Sequence, residues 1–360
     1  MTESIFRNKR VFLTGHTGFK GSWLTLWLHR LGAEVYGYSL PPPTSPSNYA
    51  LARVGDALTG ETIADIRDRD RMAAAVAAFK PDALFHLAAQ PLVRDSYAMP
   101  YETFEVNVMG TASVLDAVRA AGRPCAVVCI TTDKCYENRE QVWGYRECDP
   151  MGGHDPYSAS KGAAEILIAS YRRSFFHPAD LARHGVQLAS ARAGNVVGGG
   201  DWAKDRIVTD MVAALAAGRP VPVRNPHAIR PWQHVLEPLS GYLTLAAAML
   251  EQPAPKWCDS WNFGPVSGTE LTVGRLADAF VAAWGSGHWE DRSDPSQPHE
   301  ASVLRLSIEK AGWTLNWCPR WSCEEMVKRT AQWYRRVLCE GADARKTCEA
   351  DIEAYGDNLA

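Results

Sequence analysis

The chain of 360 residues is long for one hydrophobic core, so we expect two lobes that share a cleft. Hydrophobic residues make up 46% of it and charged residues 22%, which are ordinary proportions for a globular protein. The formal net charge of -3 and the lack of a basic run give no electrostatic reason to expect nucleic acid as a partner.

Composition also bears on location and on metals. The first ten residues lack the apolar core of a signal peptide, and the most apolar stretch, Leu243–Leu250, is far shorter than the roughly 20 residues that span a bilayer. The nine cysteines form no CxxC pair and no zinc spacing with histidines, so we expect reduced thiols and no metal site. We therefore expect a cytoplasmic protein that does not bind membranes.

The first half of the chain alternates short β-branched runs with helical patterns, which is typical of parallel strands joined by crossover helices. Ala126–Thr131 is almost wholly apolar, which favours a place in the middle of a sheet covered on both faces. The pattern predicts an α/β fold with a Rossmann-type doubly wound parallel sheet. The predicted strands are Lys9–Thr14, Glu34–Ser39, Glu61–Ala64, Ala83–Leu87, Ala126–Thr131 and Gln187–Ala191, and the longer predicted helices cover 19–31, 100–121 and 155–171.

A glycine-rich turn, 14–21, joins the first strand to the first helix. In it Gly15 permits a tight turn, Gly18 lets the backbone approach a pyrophosphate, and Gly21 lets helix and strand pack closely. The helix N-terminus adds amide donors and a partial positive charge. We predict that Gly15, Thr17, Gly18, Phe19, Lys20 and Gly21 bind a dinucleotide.

The end of the second strand decides between NAD and NADP in many such folds. Here it reads Tyr38-Ser39-Leu40, without the usual acid for the ribose and without an arginine for a 2′-phosphate, so the sequence favours NAD without settling it. Asp65 and Ile66 follow the third strand and are placed to meet the adenine. The alternative for this pair is a helix cap followed by a core residue.

Tyr157 and Lys161 lie four residues apart and therefore face the same way on a helix. A lysine beside a phenol lowers the phenol's pKa, and the phenolate can take the proton of a carbinol while hydride leaves for a nicotinamide. Thr132, Asp133 and Lys134 end the apolar strand, at the carboxyl edge of the sheet, where residues project into the cleft. The alternative for the charged pair is a solvated turn.

Residues 16–21, 86–90, 132–134 and 157–161 together resemble the extended short-chain dehydrogenase/reductase family. Within it, the combination of 16–23, 132–134 and 198–202 is similar to the nucleotide-sugar 4,6-dehydratases that act on CDP-glucose. The resemblance implies NAD as the cofactor, with Leu87, Ala88 and Ala89 beside it. It also implies two lobes: a NAD-binding Rossmann domain over residues 1–193, to which 231–256 return, and a smaller C-terminal nucleotide-sugar lobe over 194–230 and 257–360.

The reaction implied by the resemblance turns CDP-D-glucose into CDP-4-dehydro-6-deoxy-D-glucose and water. C4 is oxidised with enzyme-bound NAD, water is eliminated across C5 and C6, and hydride returns to C6. Tyr157 would be the base for the C4 hydroxyl with Thr132 as its partner, and Asp133, if protonated, the acid for the leaving hydroxyl. Related dTDP-glucose dehydratases carry glutamate where this chain has Lys134. That lysine is therefore either a neutral base for the C5 proton, favoured by burial near Lys161, or a cation that stabilises the enolate.

The resemblance also implies substrate contacts and a homodimer. Any one of the arginines has the alternative of a solvated surface charge. The predicted sugar contacts are Gln90 and Ser96, the diphosphate contacts Asn195, Arg206, Arg230 and, more weakly, Arg224, and the ribose contact His299. The dimer would pair the helices at 100–121 and 155–171, with Val114, Val118, Ile166 and Ile168 facing either the partner or the sheet.

Three other functions remain compatible with the sequence. A 4-epimerase or a decarboxylase of another nucleotide sugar would keep Tyr157 and Lys161, and the nucleotide itself is poorly legible. A dinucleotide-sensing protein without catalysis would not need the Tyr/Lys couple. Asp133 and Lys134, which water elimination requires and epimerisation does not, favour the dehydratase.

Overall fold

The computed structural model describes residues 5–204, 206–269, 271–293 and 304–356. The strands are β1 (Arg10–Thr14), β2 (Glu34–Ser39), β3 (Gly60–Ile63), β4 (Ala83–His86), β5 (Cys125–Ile130), β6 (Val186–Ala193), β7 (Val196–Val197), β8 (Val221–Val223), β9 (Ile229–Arg230), β10 (Gln233–His234), β11 (Ser260–Phe263), β12 (Leu271–Thr272) and β13 (Trp289–Asp291). Within the described residues, seven of them form a parallel sheet in the order β3-β2-β1-β4-β5-β6-β11. The order reverses between β1 and β4, so the predicted doubly wound Rossmann-type sheet is confirmed.

Helices cover both faces of this sheet. They are α1 (Phe19–Arg30), α2 (Asn48–Leu51), α3 (Arg69–Phe79), α4 (Val93–Ala98), α5 (Pro100–Phe104), α6 (Gly110–Ala121), α7 (Pro156–Ser174), α8 (Leu181–His184), α9 (Ile207–Ala216), α10 (Leu236–Glu251), α11 (Val273–Trp284), α12 (Glu309–Leu315), α13 (Cys323–Cys339) and α14 (Ala344–Tyr355). A π-helical segment, Glu105–Met109, joins α5 to α6, so the predicted helix at 100–121 is present with an irregular middle. In the described part of the chain, no helix is long and apolar enough to cross a membrane.

Two hydrophobic cores hold the layers together, one on each face of the sheet. One contains Trp23 and Trp27 of α1 together with α10, and the other contains the inner residues of α3, α6 and α7. The strands β5 and β6 are buried along their whole length, as expected for strands covered on both faces. Burial of this apolar surface is what fixes the sheet and therefore the positions of the residues at its carboxyl edge.

The structure corrects two details of the sequence interpretation. The segment Ser260–Phe263, assigned to the substrate lobe, is β11 and pairs with β6 at the edge of the main sheet. Val114, Val118 and Ile168 are fully or almost fully buried against the sheet, so they do not face a partner, whereas Ile166 is 62% exposed. The rest of the predicted division into two lobes stays a prediction.

Candidate active site

A cleft of about 330 Å³ opens where the carboxyl ends of β1 and β4 diverge. This is the position at which doubly wound sheets bind their ligands. The cleft wall comes from the glycine turn, the ends of β2 and β3, the loop after β4, α7 and the segment before α9. The predicted site residues on it are Gly15, Thr17, Gly18, Phe19, Lys20, Gly21, Asp65, Ile66, Leu87, Ala88, Ala89, Tyr157, Lys161 and Arg206.

The glycine turn is shaped as a cradle that side chains would fill. Gly15 has a φ of +78°, and a Cβ on it would lie 2.7 Å from the backbone nitrogen of Ala88. A Cβ on Gly21 would lie 2.0 Å from the carbonyl oxygen of Gly15. Both positions therefore require glycine, and the bare backbone before α1 leaves room for a pyrophosphate at the helix N-terminus. The residues present fit a dinucleotide.

The adenosine end of the cleft is rich in carboxylates. The Ser39 hydroxyl is hydrogen-bonded to the Thr17 hydroxyl at 2.8 Å, so it belongs to the turn as well as to the end of β2. Asp65 accepts hydrogen bonds from Arg67, and Arg67 also contacts Glu105 at 3.1 Å and Glu102 at 3.8 Å. Sequence reasoning missed Arg67, whose position two residues after Asp65 was the available signal. A guanidinium already shared by three carboxylates is poorly suited to a 2′-phosphate.

The side chain of Ile66 packs inward. A Cβ on Gly110 would lie 2.5 Å from its Cδ1 atom, so the first turn of α6 closes over it. Ile66 is nevertheless part of the cleft wall. It is therefore a core residue, as one alternative had it, and it also borders the site.

The helix α7 carries the predicted catalytic couple. Asp155 caps it by accepting from the Ser158 backbone, and Pro156 occupies its first turn, which places Tyr157 and Lys161 at the cleft end. Both side chains are buried. Burial raises the pKa of Tyr157 to about 12, and a hydrogen bond with Thr132 opposes that rise. The expected lowering of the phenol's pKa by Lys161 is therefore not found. Burial also lowers the pKa of Lys161, to about 8.

Thr132, Asp133 and Lys134 lie two to four residues after the end of β5, and Thr132 is hydrogen-bonded to the same phenol. The Thr132 hydroxyl donates to Oδ1 of Asp133 at 2.9 Å, and Nζ of Lys134 lies 3.3 Å from the same oxygen. Asp133 is fully buried, and its Oδ2 has no hydrogen-bond partner among the described residues. The solvated-turn alternative is wrong for Asp133. Lys134, by contrast, is 34% exposed and paired with the carboxylate, so the burial that a neutral amine requires is only partial.

The two residues predicted to touch the sugar make internal contacts instead. Ser96 is fully buried, and its hydroxyl donates to the Val93 carbonyl and accepts from the Tyr157 backbone at 3.1 Å. It therefore positions α7 and does not face the cleft, contrary to the prediction. The Gln90 amide bonds to the backbone of Leu92 and to Thr103, which holds the loop after β4.

The predicted diphosphate contacts are only partly brought together. Arg206 lies on the cleft wall and forms an ion pair with Asp201 at 2.7 Å. Arg224 pairs with Asp210, and Arg230 donates to the Ile229 carbonyl; neither belongs to the wall formed by the described residues. The Asn195 side chain accepts from Lys134 at 3.4 Å. His299 lies outside the described residues.

A buried ion pair beneath the catalytic helix escaped sequence reasoning. Glu165, one turn after Lys161, accepts from Arg192 of β6 at 2.8 Å and from Ser190 at 2.8 Å. Burial would raise the pKa of Glu165, but Arg192 outweighs it and the pKa is lowered. The Arg192 guanidinium continues to the Tyr136 hydroxyl at 2.7 Å. The pair ties α7 to β6 and so fixes Lys161 over the sheet.

A glycine cradle at the switch point of a doubly wound sheet, with a tyrosine and a lysine four residues apart beside it, defines the extended short-chain dehydrogenase/reductase class. Within that class the family is shown by sequence. The chain belongs to the GDP-mannose 4,6 dehydratase family, whose model matches residues 12–330.

Individual relatives agree with this assignment. The chain is 50% identical over 353 residues to the CDP-glucose 4,6-dehydratase of Salmonella typhimurium, which covers 98% of each chain. It is 30% identical over 261 residues to the dTDP-glucose 4,6-dehydratase of Streptomyces antibioticus, covering 71% of this chain and 70% of that one. The fold matches the crystal structure of a dTDP-glucose 4,6-dehydratase from Streptomyces venezuelae with NAD bound, with a TM-score of 0.77, 24% identity and coverage of 92% and 99%.

Proposed function

We propose that this protein converts CDP-D-glucose to CDP-4-dehydro-6-deoxy-D-glucose and water with a bound NAD. One observation carries the proposal: Thr132, whose hydroxyl is hydrogen-bonded to the phenol of Tyr157, is followed by a buried carboxyl and an amine, Asp133 and Lys134, that lie 3.3 Å from each other. Oxidation of an alcohol needs the phenol alone, whereas elimination of water also needs an acid and a second ionisable group. The 50% identity to a CDP-glucose 4,6-dehydratase over 98% of the chain supports CDP-glucose as the substrate.

The cofactor residues are the cradle of 15–21 for the pyrophosphate, Asp65 and Ile66 for the adenine, and 87–89 for the remaining wall. NAD, when bound, supplies an acceptor for the hydride of C4 and returns that hydride to C6. The acidic surroundings of Arg67 favour NAD over NADP, because a 2′-phosphate would be repelled by three nearby carboxylates.

In the oxidation step, Tyr157 takes the proton of the C4 hydroxyl. Burial raises the pKa of this phenol to about 12, so the cation of Lys161 and the hydrogen bond with Thr132 must stabilise the phenolate that accepts the proton. Lys161 is buried, and burial lowers its pKa. The carboxylate of Glu165 opposes this effect by raising the pKa of Lys161, so the lysine keeps part of its positive charge.

In the elimination step, Asp133 gives a proton to the C6 hydroxyl and Lys134 acts at C5. Asp133 is fully buried, and its Oδ2 makes no hydrogen bond within the described residues, so this oxygen is available to the C6 hydroxyl. Lys134 takes the C5 proton as a neutral amine or stabilises the enolate as a cation. Its position one residue beyond Asp133, with Nζ 3.3 Å from Oδ1, is compatible with either role.

Substrate anchoring is proposed for Arg206 first, because it borders the cleft and Asp201 fixes its guanidinium. A planar fork of donors suits a diphosphate. Asn195 beside Lys134 is proposed to contact the sugar-phosphate region. Gln90, Arg224, Arg230 and His299 stay candidates for substrate contact.

A labelled substrate separates this function from its rivals. CDP-glucose carrying deuterium at C4 should give a product that has lost one water and carries the deuterium at C6, as read by mass spectrometry and proton NMR. An epimerase would return the deuterium to C4 without loss of water, and a sensor would leave the substrate unchanged. Tyr157→Phe should slow the reaction at least about 100-fold.

We also propose a cytoplasmic homodimer. All nine cysteines are free, which supports a reducing compartment. Exposed apolar side chains lie along the outer side of α5, α7 and the π-helical segment that follows α5: Tyr101, Phe104, Met109 and Ile166. Such a patch is typical of a protein interface, and sedimentation of the purified protein tests it.

A further inference from the structure

Lys20 lies at the junction of the glycine cradle and the catalytic residues. It is the second residue of α1, and it borders the cleft together with Tyr157 and Lys161. Its Nζ lies 5.9 Å from the centre of the buried Tyr242 ring. Lys20 forms no ion pair with any carboxylate in the described residues. Its side chain therefore places an uncompensated charge inside the cleft.

The surroundings of Lys20 are dominated by positive charge. The pKa of Lys20 is lowered to about 7, chiefly by burial. Neighbouring cations also lower this pKa, and their effect is larger than the opposite effect of the one nearby carboxylate, Asp133. Its ammonium is thus gained and lost near neutral pH. The groups that face it are Arg206 before α9, Lys161 of α7, Lys134 and Asp133 after β5, and the phenol of Tyr242 on α10.

The reacting ring of a nicotinamide dinucleotide carries a positive charge when oxidised and none when reduced. In this cleft the ring must lie beside Tyr157, since hydride leaves the carbon whose hydroxyl that phenol deprotonates. A cation on the same wall therefore disfavours the oxidised form and leaves the reduced form almost unaffected.

We propose that Lys20 biases the bound nicotinamide toward its reduced form, and so promotes the removal of hydride from C4. It does this through space, by the repulsion between its ammonium and the oxidised ring. This role rests on the nicotinamide part of the proposed function and not on the identity of the sugar nucleotide. Two electrons and one hydrogen leave C4 together as hydride, and the hydroxyl proton goes to Tyr157.

Binding measurements test the role without any turnover. Dissociation constants for NAD⁺ and NADH are measured by quenching of tryptophan fluorescence at pH 6 and pH 9, for the unmodified protein, Lys20→Met and Lys20→Arg. At pH 6 the ratio Kd(NAD⁺)/Kd(NADH) should be about tenfold higher in the unmodified protein than in Lys20→Met. At pH 9, above the pKa of about 7, the two ratios should converge. Lys161 also loses its proton between these two pH values, but it does so in every variant. The variants are therefore compared with one another at the same pH.

Lys20→Arg keeps its charge at both pH values, so its ratio should stay above that of Lys20→Met at pH 9 as well. Lys328→Met removes a lysine that pairs with Glu325 on α13 and should leave the ratio unchanged. Equal ratios in the unmodified protein and Lys20→Met at pH 6 would overturn the proposal, as would equal ratios in Lys20→Arg and Lys20→Met at pH 9. The binding measurements contain no sugar nucleotide, so they do not depend on the proposed substrate. If both dinucleotides bind tightly but CDP-glucose is not dehydrated, the proposed substrate is refuted and this role of Lys20 stands.

Discussion

Replacing Glu165 by glutamine tests the link between the buried ion pair and the catalytic helix. Glu165 and Arg192 have side chains that are 2% and 4% exposed, so the glutamine leaves a buried guanidinium without its counter-charge. Breaking such a pair costs about 3–5 kcal/mol of unfolding free energy. In a chain of this length that corresponds to a fall in Tm of roughly 4–7 °C.

The assay is calorimetric or fluorescence-monitored unfolding of Glu165→Gln beside a surface control, Glu325→Gln. Glu325 and Arg329 form an i,i+4 pair on α13 that is about one-third exposed, and its loss should cost about 0.3–0.5 kcal/mol. The pKa of Glu165 is lowered in the folded protein, so its stabilisation is present above its ordinary value of 4.5 and is lost as pH falls below that value. The difference between Glu165→Gln and the unmodified protein should therefore shrink in acid.

The same variant should change the pH dependence of the reaction. The Glu165 carboxylate raises the pKa of Lys161 against burial, which holds it at about 8. Without the carboxylate, Lys161 loses its proton at lower pH, so the alkaline fall in kcat should begin at lower pH. A destabilisation as small as that of Glu325→Gln, together with an unchanged alkaline limb, would refute the reasoning.

Three further predictions concern the elimination step, the cradle and the dimer. Lys134→Met should abolish incorporation of solvent deuterium at C5 while CDP-glucose still reduces bound NAD, as read at 340 nm; normal incorporation would rule out Lys134 as the base. Gly21→Ala should weaken NAD binding at least about tenfold in a titration, because its Cβ would meet the Gly15 carbonyl at 2.0 Å, and unchanged affinity would contradict the cradle. Ile166→Glu should shift the sedimenting species to monomer, and a persistent dimer would exclude this patch as the interface.

Periodicity and local chemistry explain what the sequence could predict. The apolar runs and the glycine turn predicted the first strands along the chain, their doubly wound parallel sheet and a helix that carries Tyr157 and Lys161, because each pattern depends on residues close in the chain. The strand at Ser260–Phe263 was missed. It has only four residues, and so short a segment carries too little pattern to reveal that it pairs with β6, 70 residues earlier in the chain.

Long-range polar contacts set the limit of prediction within the site. Glu165 and Arg192 are far apart in sequence and meet only when α7 packs on β6, so neither residue alone signals an ion pair. Ser96 follows the fourth strand as a sugar-binding residue would, but its hydroxyl is taken by the Tyr157 backbone. Likewise, a lysine beside a tyrosine suggests that the phenol's pKa is lowered. Burial raises the pKa of Tyr157 instead, and the degree of burial depends on the whole fold.

The most direct test of the central claim is a comparison of nucleotides. The purified protein with NAD⁺ is offered CDP-, dTDP-, UDP- and GDP-glucose separately, and loss of water is followed by mass spectrometry. We expect the dehydrated 4-keto-6-deoxy product from CDP-glucose, at a rate well above that from the other three. Product from another nucleotide alone would contradict the substrate assignment, and no loss of water from any of the four would contradict the dehydratase itself.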